Sequence, residues 1–220
     1  LQSQFRYLTK VHNGIIDAEY LNDDSLTGES RSFVGVEHAS LFRNRLRGAV
    51  EFRQVSDNQY FEDLGSSLST STITHLNRAL RFDYHTDNLS LFGQVQDYQT
   101  IDDAIADVDE PYRRLPQLLA RGRWPGLWLG STINLDGEVV KFDRNVGVTG
   151  WRFNLAPELR LPLERPGLFF TPAIALDYTS YDLSNTEPGQ RDNPERVLPI
   201  ASVDTGLVLE RLINNSSRKR

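Results

Sequence analysis

A chain of 220 residues with 39% hydrophobic content can bury one good core or two small ones. Its net charge of −6, with no basic stripe interleaved with aromatics, argues against a nucleic-acid partner, and the lack of cysteine removes disulfides and thiolate metal sites. No run of about 18 apolar residues occurs, which excludes a membrane-spanning helix but leaves open a barrel, whose strands are half polar.

Residues 5–9 and 15–21 are short β-rich runs, and Asn13-Gly14 between them is predicted to form the first hairpin turn. Asn22-Asp23-Asp24-Ser25 breaks the pattern before residues 32–41, where Phe33, Gly35, Glu37 and Ala39 alternate with Val34, Val36 and His38. After a break at Arg43-Asn44-Arg45, a strand over 49–55 sets Val50 and Phe52 against Glu51 and Arg53. Residues 55–72, VSDNQYFEDLGSSLSTST, read as a flexible exposed loop. Leu76, Leu80, Phe82 and Tyr84 then oppose Asn77, Arg81, Asp83 and His85, with Arg78 on the apolar side as a snorkelling exception. Asp87-Asn88 turns the chain into a strand with Leu89, Leu91 and Val95 on one face and Ser90, Gln94 and Gln96 on the other. The acidic stretch 102–110, DDAIADVDE, lacks the spacing and glycine of an EF-hand loop and reads as a solvated connection.

From Arg114, Pro116, Leu118, Ala120, Gly122 and Trp124 alternate with Gln117, Arg121 and Arg123, and Pro125-Gly126 is a turn signal. Leu127, Leu129, Ile133 and Leu135 are expected on one face of the next strand, against Gly130, Thr132, Asn134 and Asp136. Residues 151–164, WRFNLAPELRLPLE, give the clearest pattern: Trp151, Phe153, Leu155, Pro157, Leu159, Leu161 and Leu163 share one parity, and charged or polar residues dominate the other. Strands of soluble sandwiches run about 5–6 residues and bilayer-crossing strands about 9–11, so this length favours a membrane barrel. Arg165-Pro166-Gly167 connects it to a second long strand with Leu168, Phe170, Pro172, Ile174, Leu176 and Tyr178 on its apolar face. A polar loop over 184–195 and a mixed strand over 197–210 follow.

The pattern predicts an all-β protein, an antiparallel up-and-down transmembrane β-barrel segment of about 10–11 strands without a convincing helix. Tight turns alternate with longer loops, as in outer-membrane barrels with short periplasmic turns and long external loops. Pro157, Pro162, Pro172 and Pro199 fall inside strand patterns and imply bulges, strand ends or weakened pairing. Residues 1–211 are expected to form a partial barrel domain and 212–220 a polar basic tail. No nucleophile elbow, phosphate-binding loop or His-Glu-x-x-His occurs, so no catalytic, cofactor or metal residue is assigned and the chain reads as a non-enzyme. His75 and His85 share one parity of one strand, too far apart to act on a single substrate atom.

Tyr112-Arg113-Arg114-Leu115-Pro116-Gln117-Leu118 resembles a segment typical of the LPS-assembly outer-membrane protein family, LptD. Val55-Ser56-Asp57 with Tyr60-Phe61 and Asp63 is similar to that family's Val-Ser-Asp-x-x-Tyr-Phe-x-Asp. LAPELRLPL, residues 155–163, looks like its Leu-Glu-Pro-x-Leu-x-Leu-Pro-Leu strand, with Ala156 in place of glutamate. Arg196-Val197-Leu198-Pro199 with Asp204, Gly206, Glu210 and Arg211 resembles a fourth segment in the same order. The resemblance implies an outer-membrane location and a place in the first half of a very large barrel that follows a periplasmic jellyroll. It further implies delivery of lipopolysaccharide to the outer leaflet and an LptE-like plug lipoprotein inside the barrel.

On this reading the chain is a piece of a longer protein and lacks the jellyroll, the gate strands and the disulfide cysteines. Outer-membrane lipid meets Leu159, Leu161, Leu163, Phe170, Ile174 and Leu176, with Trp151 and Tyr178 as interfacial aromatics. Arg81, Asp83, Arg152, Asn154, Glu158, Arg160 and Asp177 are expected to line the lumen, facing the plug or a passing glycan. A general porin is the alternative, and a lipid hydrolase using His38, His75 or His85 a more distant one.

Overall fold

The computed structural model describes residues 1–25, 28–43, 45–65 and 72–210; Arg211 and the predicted tail 212–220 lie outside the described residues. The described strand segments are β1 (Gln2–Leu8), β2 (His12–Leu21), β3 (Arg31–Arg43), β4 (Leu46–Val55), β5 (His75–His85), β6 (Leu89–Thr100), β7 (Arg113–Trp124), β8 (Thr132–Asp143), β9 (Thr149–Arg160), β10 (Leu163–Arg165), β11 (Leu168–Ser184) and β12 (Glu195–Leu207). They make one antiparallel sheet in which each strand pairs with its sequence neighbour, and β1 and β12 do not meet to close it. This is an up-and-down barrel segment.

β10 continues β9. Arg160 pairs with Ala173 and Leu163 with Phe170, the same register carried across Leu161-Pro162. The amide of Leu161 still donates to the Pro172 carbonyl at 2.9 Å, but Pro162 has no N–H to continue the ladder. With β10 counted as part of β9, the twelve segments form eleven passes.

The register sorts the side chains into two faces. One carries Val34, Leu80, Phe82, Leu91, Val95, Leu118, Ile133, Phe153, Leu159, Ile174 and Leu176, every one of them exposed. An apolar surface of this breadth is far outside what a soluble monomer shows to water. The other face carries glutamates, arginines, glutamines and asparagines paired with one another. No helix among the described residues is long and apolar enough to cross a membrane, which does not bear on crossing by strands.

Three sequence expectations need correction. The first turn is not at Asn13-Gly14, which lies within β2. The chain reverses at residues 9–11, where the Thr9 hydroxyl accepts the amides of Val11 and His12 at 3.3 and 2.9 Å. The glycine serves close packing: the Tyr7 ring occupies the space a side chain at residue 14 would fill. Leu127 and Leu129 are not strand residues, because Trp128–Gly130 forms a 3-10 turn with Leu129 at φ 55° and β8 starts at Thr132. The described residues of the predicted loop 55–72 are not uniformly exposed, because Tyr60 is buried. As expected, there is almost no helix among the described residues: Tyr60–Leu64 forms a single short one, α1.

Pro157 and Pro162 interrupt pairing as expected, whereas Pro172 and Pro199 keep registered partners in the β11–β12 ladder. Pairing of β9 with β11 skips Ala156 and Pro157, Pro199 sits on the edge strand β12, and Pro116 sits in a bulge of β7. Connections 9–11, 86–88 and 166–167 are short and lie at one end of the sheet. At the Pro166-Gly167 turn, proline precedes a glycine at φ 77°, the order a type II turn requires. Connections 22–30, 56–74, 101–112 and 185–194 lie at the other end and are long.

Candidate functional site

A belt of hydrogen bonds crosses the polar face from β4 to β9. Arg81 Nη2 lies 3.8 Å from Glu51 Oε2, and the Asn77 amide donates to the same carboxylate at 2.6 Å. Gln96 Nε2 donates to Asn77 Oδ1 at 2.9 Å while Gln96 Oε1 accepts from Arg114 at 2.8 Å. Gln94 donates to Gln117, Gln117 to Glu138, and Glu138 accepts Arg152, each at 2.5 Å. Gln94 and Gln96 are buried by the longer side chains around them, so their amides need these partners. A second group spans β9, β11 and β12: Asn154 Nδ2 donates to Asp177 and Thr179 at 2.9 Å, and Arg196 reaches Asp177 at 3.2 Å.

The bulge in β7 brings Arg114 into the belt. Gln94 pairs with Gln117 but Gln96 with Arg114, so three residues of β7 answer two of β6. Strict alternation would put Arg114 on the face opposite Gln117; the extra residue at Leu115-Pro116 turns both to the polar face. The same segment fastens the long-connection end. Arg113 pairs with Asp143 at 2.7 Å, the Tyr112 hydroxyl donates to the Val148 carbonyl at 2.7 Å, and the Arg144 guanidinium lies 4.2 Å from the centroid of the Tyr112 ring.

At that end the 56–65 segment folds back over the polar face of β2 and β3. Arg31 is its hub, only 2% exposed. The guanidinium holds Asp57 through two bonds of 2.6 and 3.0 Å, Asp63 at 2.8 Å and Asp24 at 3.0 Å. Tyr60 packs on Phe33 and Phe61 with its hydroxyl donating to Glu19 at 2.7 Å, and Val55, Leu76 and Ile101 complete a small core with it. Burial pushes the Asp57 carboxyl up, but the bonds from Arg31 and Ser56 outweigh it and hold the group below the ordinary carboxylate range. Burial, then the Glu19 carboxylate, push the Tyr60 phenol up, so it stays a neutral donor. Asn58 and Gln59 tie the segment to Asp103 of the acidic 101–112 connection at 2.5 and 2.8 Å.

All seven residues expected in the lumen fall on the polar face. Arg81 and Arg152 sit near opposite ends of the belt. Asn154 and Asp177 belong to the second group, Glu158 accepts Arg160 and Asn134 at 3.0 Å, and Asp83 pairs in register with Arg47. The connecting residues Glu51, Asn77, Gln117 and Glu138 were not singled out, although each has the right parity. Arg31 and Tyr60 were missed because their partners are distant in sequence. Among the described residues no group of three or more His, Asp or Glu side chains could hold a metal ion.

A family model described as LPS transport system D, LptD, matches residues 29–219. The chain belongs to the LptD family. It is 37% identical over 213 residues to the LPS-assembly protein LptD of Nitrosococcus oceani, covering 96% of this chain and 29% of that protein. It is 39% identical over 214 residues to the protein of that name from Aromatoleum aromaticum, and 38% over 218 residues to that from Azoarcus sp., covering 96% of this chain and 27% of each relative. The chain thus spans under a third of the length of these curated relatives.

The segments that resemble LptD sequences coincide with the structural fixings. Tyr112 to Gln117 supply the clamp, the bulge and the centre of the belt. Val55, Asp57, Tyr60, Phe61 and Asp63 form the core and ion cluster of the folded-back segment. LAPELRLPL contains both β-ladder interruptions, at Pro157 and Pro162, and Ala156, which replaces the glutamate of the LptD pattern, lies where pairing with β11 lapses.

Proposed function

We propose that this chain is part of the wall of an outer-membrane barrel that assembles lipopolysaccharide into the outer leaflet. The observation that carries it is the union of LptD-family sequence with a sheet that has one broad apolar face and one belted polar face. In this reading the apolar face meets outer-membrane lipid and the polar face lines a water-filled lumen. The remaining strands of the full-length protein pair with β1 and β12, since bare edges of this length invite aggregation.

The belt gives the lumen wall its chemistry. Alternating arginine and carboxylate heads joined by amide side chains present donors and acceptors with little net charge along the row. Such a surface holds hydrated sugar hydroxyls weakly enough to let them pass, and it offers an LptE-like plug lipoprotein a fixed set of polar contacts. Arg81, Asp83, Arg152, Asn154, Glu158, Arg160 and Asp177 are the residues assigned to that contact.

The test is depletion of the full-length protein in its own cells, with surface lipopolysaccharide and small-solute uptake assayed in parallel. Loss of surface lipopolysaccharide with accumulation inside supports assembly. Unchanged lipopolysaccharide with reduced uptake makes the barrel a general porin and overturns the proposal.

A further inference from the structure

Four polar side chains interrupt the apolar face where β1, β2 and β3 meet, near the short-connection end. The Tyr7 hydroxyl bonds His38 Nδ1, His38 Nε2 lies 2.5 Å from Ser40 Oγ, and that oxygen lies 2.8 Å from His12 Nδ1. The His12 and His38 rings stack at 6.0 Å, and Gly14, between Tyr7 and His38 in the register, leaves room for the tyrosine to reach across. Ser40 is buried; Tyr7, His12 and His38 are half-buried. Their neighbours on this face are Phe5, Ile16, Val36, Phe42, Leu46, Gly48 and Val50, none of which titrates. The adjoining turn supplies Lys10; Arg6, Glu37, Arg47 and Asp83 belong to the opposite face.

The proton count of this chain is informative. With both imidazoles neutral, the bonds run in one direction and only one end, Tyr7 O–H or His12 Nε2–H, has a proton to give outward. Adding one proton changes that. A His38 imidazolium donates to both Tyr7 and Ser40, Ser40 passes its hydrogen to His12 Nδ1, and Tyr7 O–H and His12 Nε2–H then both point outward. Two donors and one positive charge suit an oxyanion, and Lys10 lies in the adjoining connection 9–11. The cluster begins at the first residue of β2 and the last-but-one of β1, at the ends of these strands, where on the barrel reading a lipid headgroup would meet the wall.

We propose that Tyr7, His12, His38 and Ser40 seat the phosphate of a membrane phospholipid, taken up together with a proton. This rests on the apolar face lying against lipid, as in the proposed function.

The experiment titrates phosphatidylglycerol onto the detergent-solubilised full-length protein and counts bound lipid by native mass spectrometry at about pH 6 and about pH 8. Tighter binding at the lower pH is expected, with His12→Phe and Ser40→Ala each weakening it about tenfold and flattening its pH dependence, the scale of one charge-assisted contact. Ser40→Ala removes one oxygen from a packed position and keeps the fold testable, with heat-modifiable gel migration as the check. Equal affinity at both pH values, or unchanged affinity in Ser40→Ala, overturns the proposal. So does displacement of the lipid by inorganic phosphate alone, which makes the cluster a free-anion site. Failure of the underlying barrel reading looks different: the wild-type protein then shows no heat-modifiable form and needs no detergent.

Discussion

Arg31 gathers three carboxylates from two separate stretches of sequence, at residue 24 and at residues 57 and 63 of the folded-back segment. A charge buried this deeply is tolerable only while paired, and removing one partner of such a cluster costs about 3–5 kcal/mol. Arg31→Met is therefore expected to release the 56–65 segment while leaving the strands intact, read as faster hydrogen exchange or proteolysis confined to that segment in the full-length protein. Asp57 adds a pH dependence of defined sign. Its folded pKa is depressed, so its contribution is present above the unfolded value of about 3.9 and is lost as pH falls through the lower folded value. Protection of the segment should hold from neutrality to about pH 5 and fail in stronger acid, and Asp57→Asn should weaken it near neutrality but make no difference in strong acid, where the wild-type carboxyl is already protonated. Gly14→Val belongs to the same scale. It collides with the Tyr7 ring and should cost about 1–3 kcal/mol, seen as a lower temperature for loss of the heat-modifiable form. A turn-forming role for Gly14 would make its tolerance depend on φ alone, and Gly14 has no positive φ.

At the scale of elements, much of the sheet is legible in sequence because a strand writes its two faces with period two, and the written parity survives wherever pairing is regular. Leu80 and Arg81, Phe153 and Asn154, and Leu176 and Asp177 all lie on the faces their parity assigns. Parity fails at Arg114, because a bulge adds a residue without leaving a hydrophobic signature of its own. It also fails to foresee the 56–65 segment. Serine, aspartate and asparagine look solvated in a local window, and what orders them is an arginine about 26 residues upstream. The same limitation misplaced the first turn, since Asn-Gly announces a hairpin only when nothing packs across the glycine. The bulge makes a prediction. Inserting one residue between Arg114 and Leu115 while the bulge persists swaps the faces of Arg113 and Arg114, so Arg113 loses Asp143 and Arg114 loses Gln96. Loss of bonds to charged groups at about 1.5–3 kcal/mol each should lower the yield of folded full-length protein more than an insertion in the 185–194 loop.

For the whole molecule the decisive question is which medium each face meets, and two adjacent residues in the middle of β5 pose it directly. Leu80 lies on the apolar face and is 38% exposed, while Arg81 lies on the polar face with its guanidinium 3.8 Å from Glu51. If lipid covers the apolar face, Leu80→Arg places a charge in hydrocarbon and costs about 2–4 kcal/mol near the bilayer midplane. Arg81→Ala removes a long, partly exposed ion pair, for which about 0–1 kcal/mol is expected even though Glu51 keeps its bond from Asn77. The two variants share a strand, a depth and the same neighbouring strands, so differences in insertion, register or expression context largely cancel between them. Folding of the full-length protein into lipid vesicles, followed by the heat-modifiable band across a urea series, should show a marked loss for Leu80→Arg and near wild-type behaviour for Arg81→Ala. Equal losses in both would mean that the two faces see the same medium, and the assignment of lipid to one side and water to the other would be wrong.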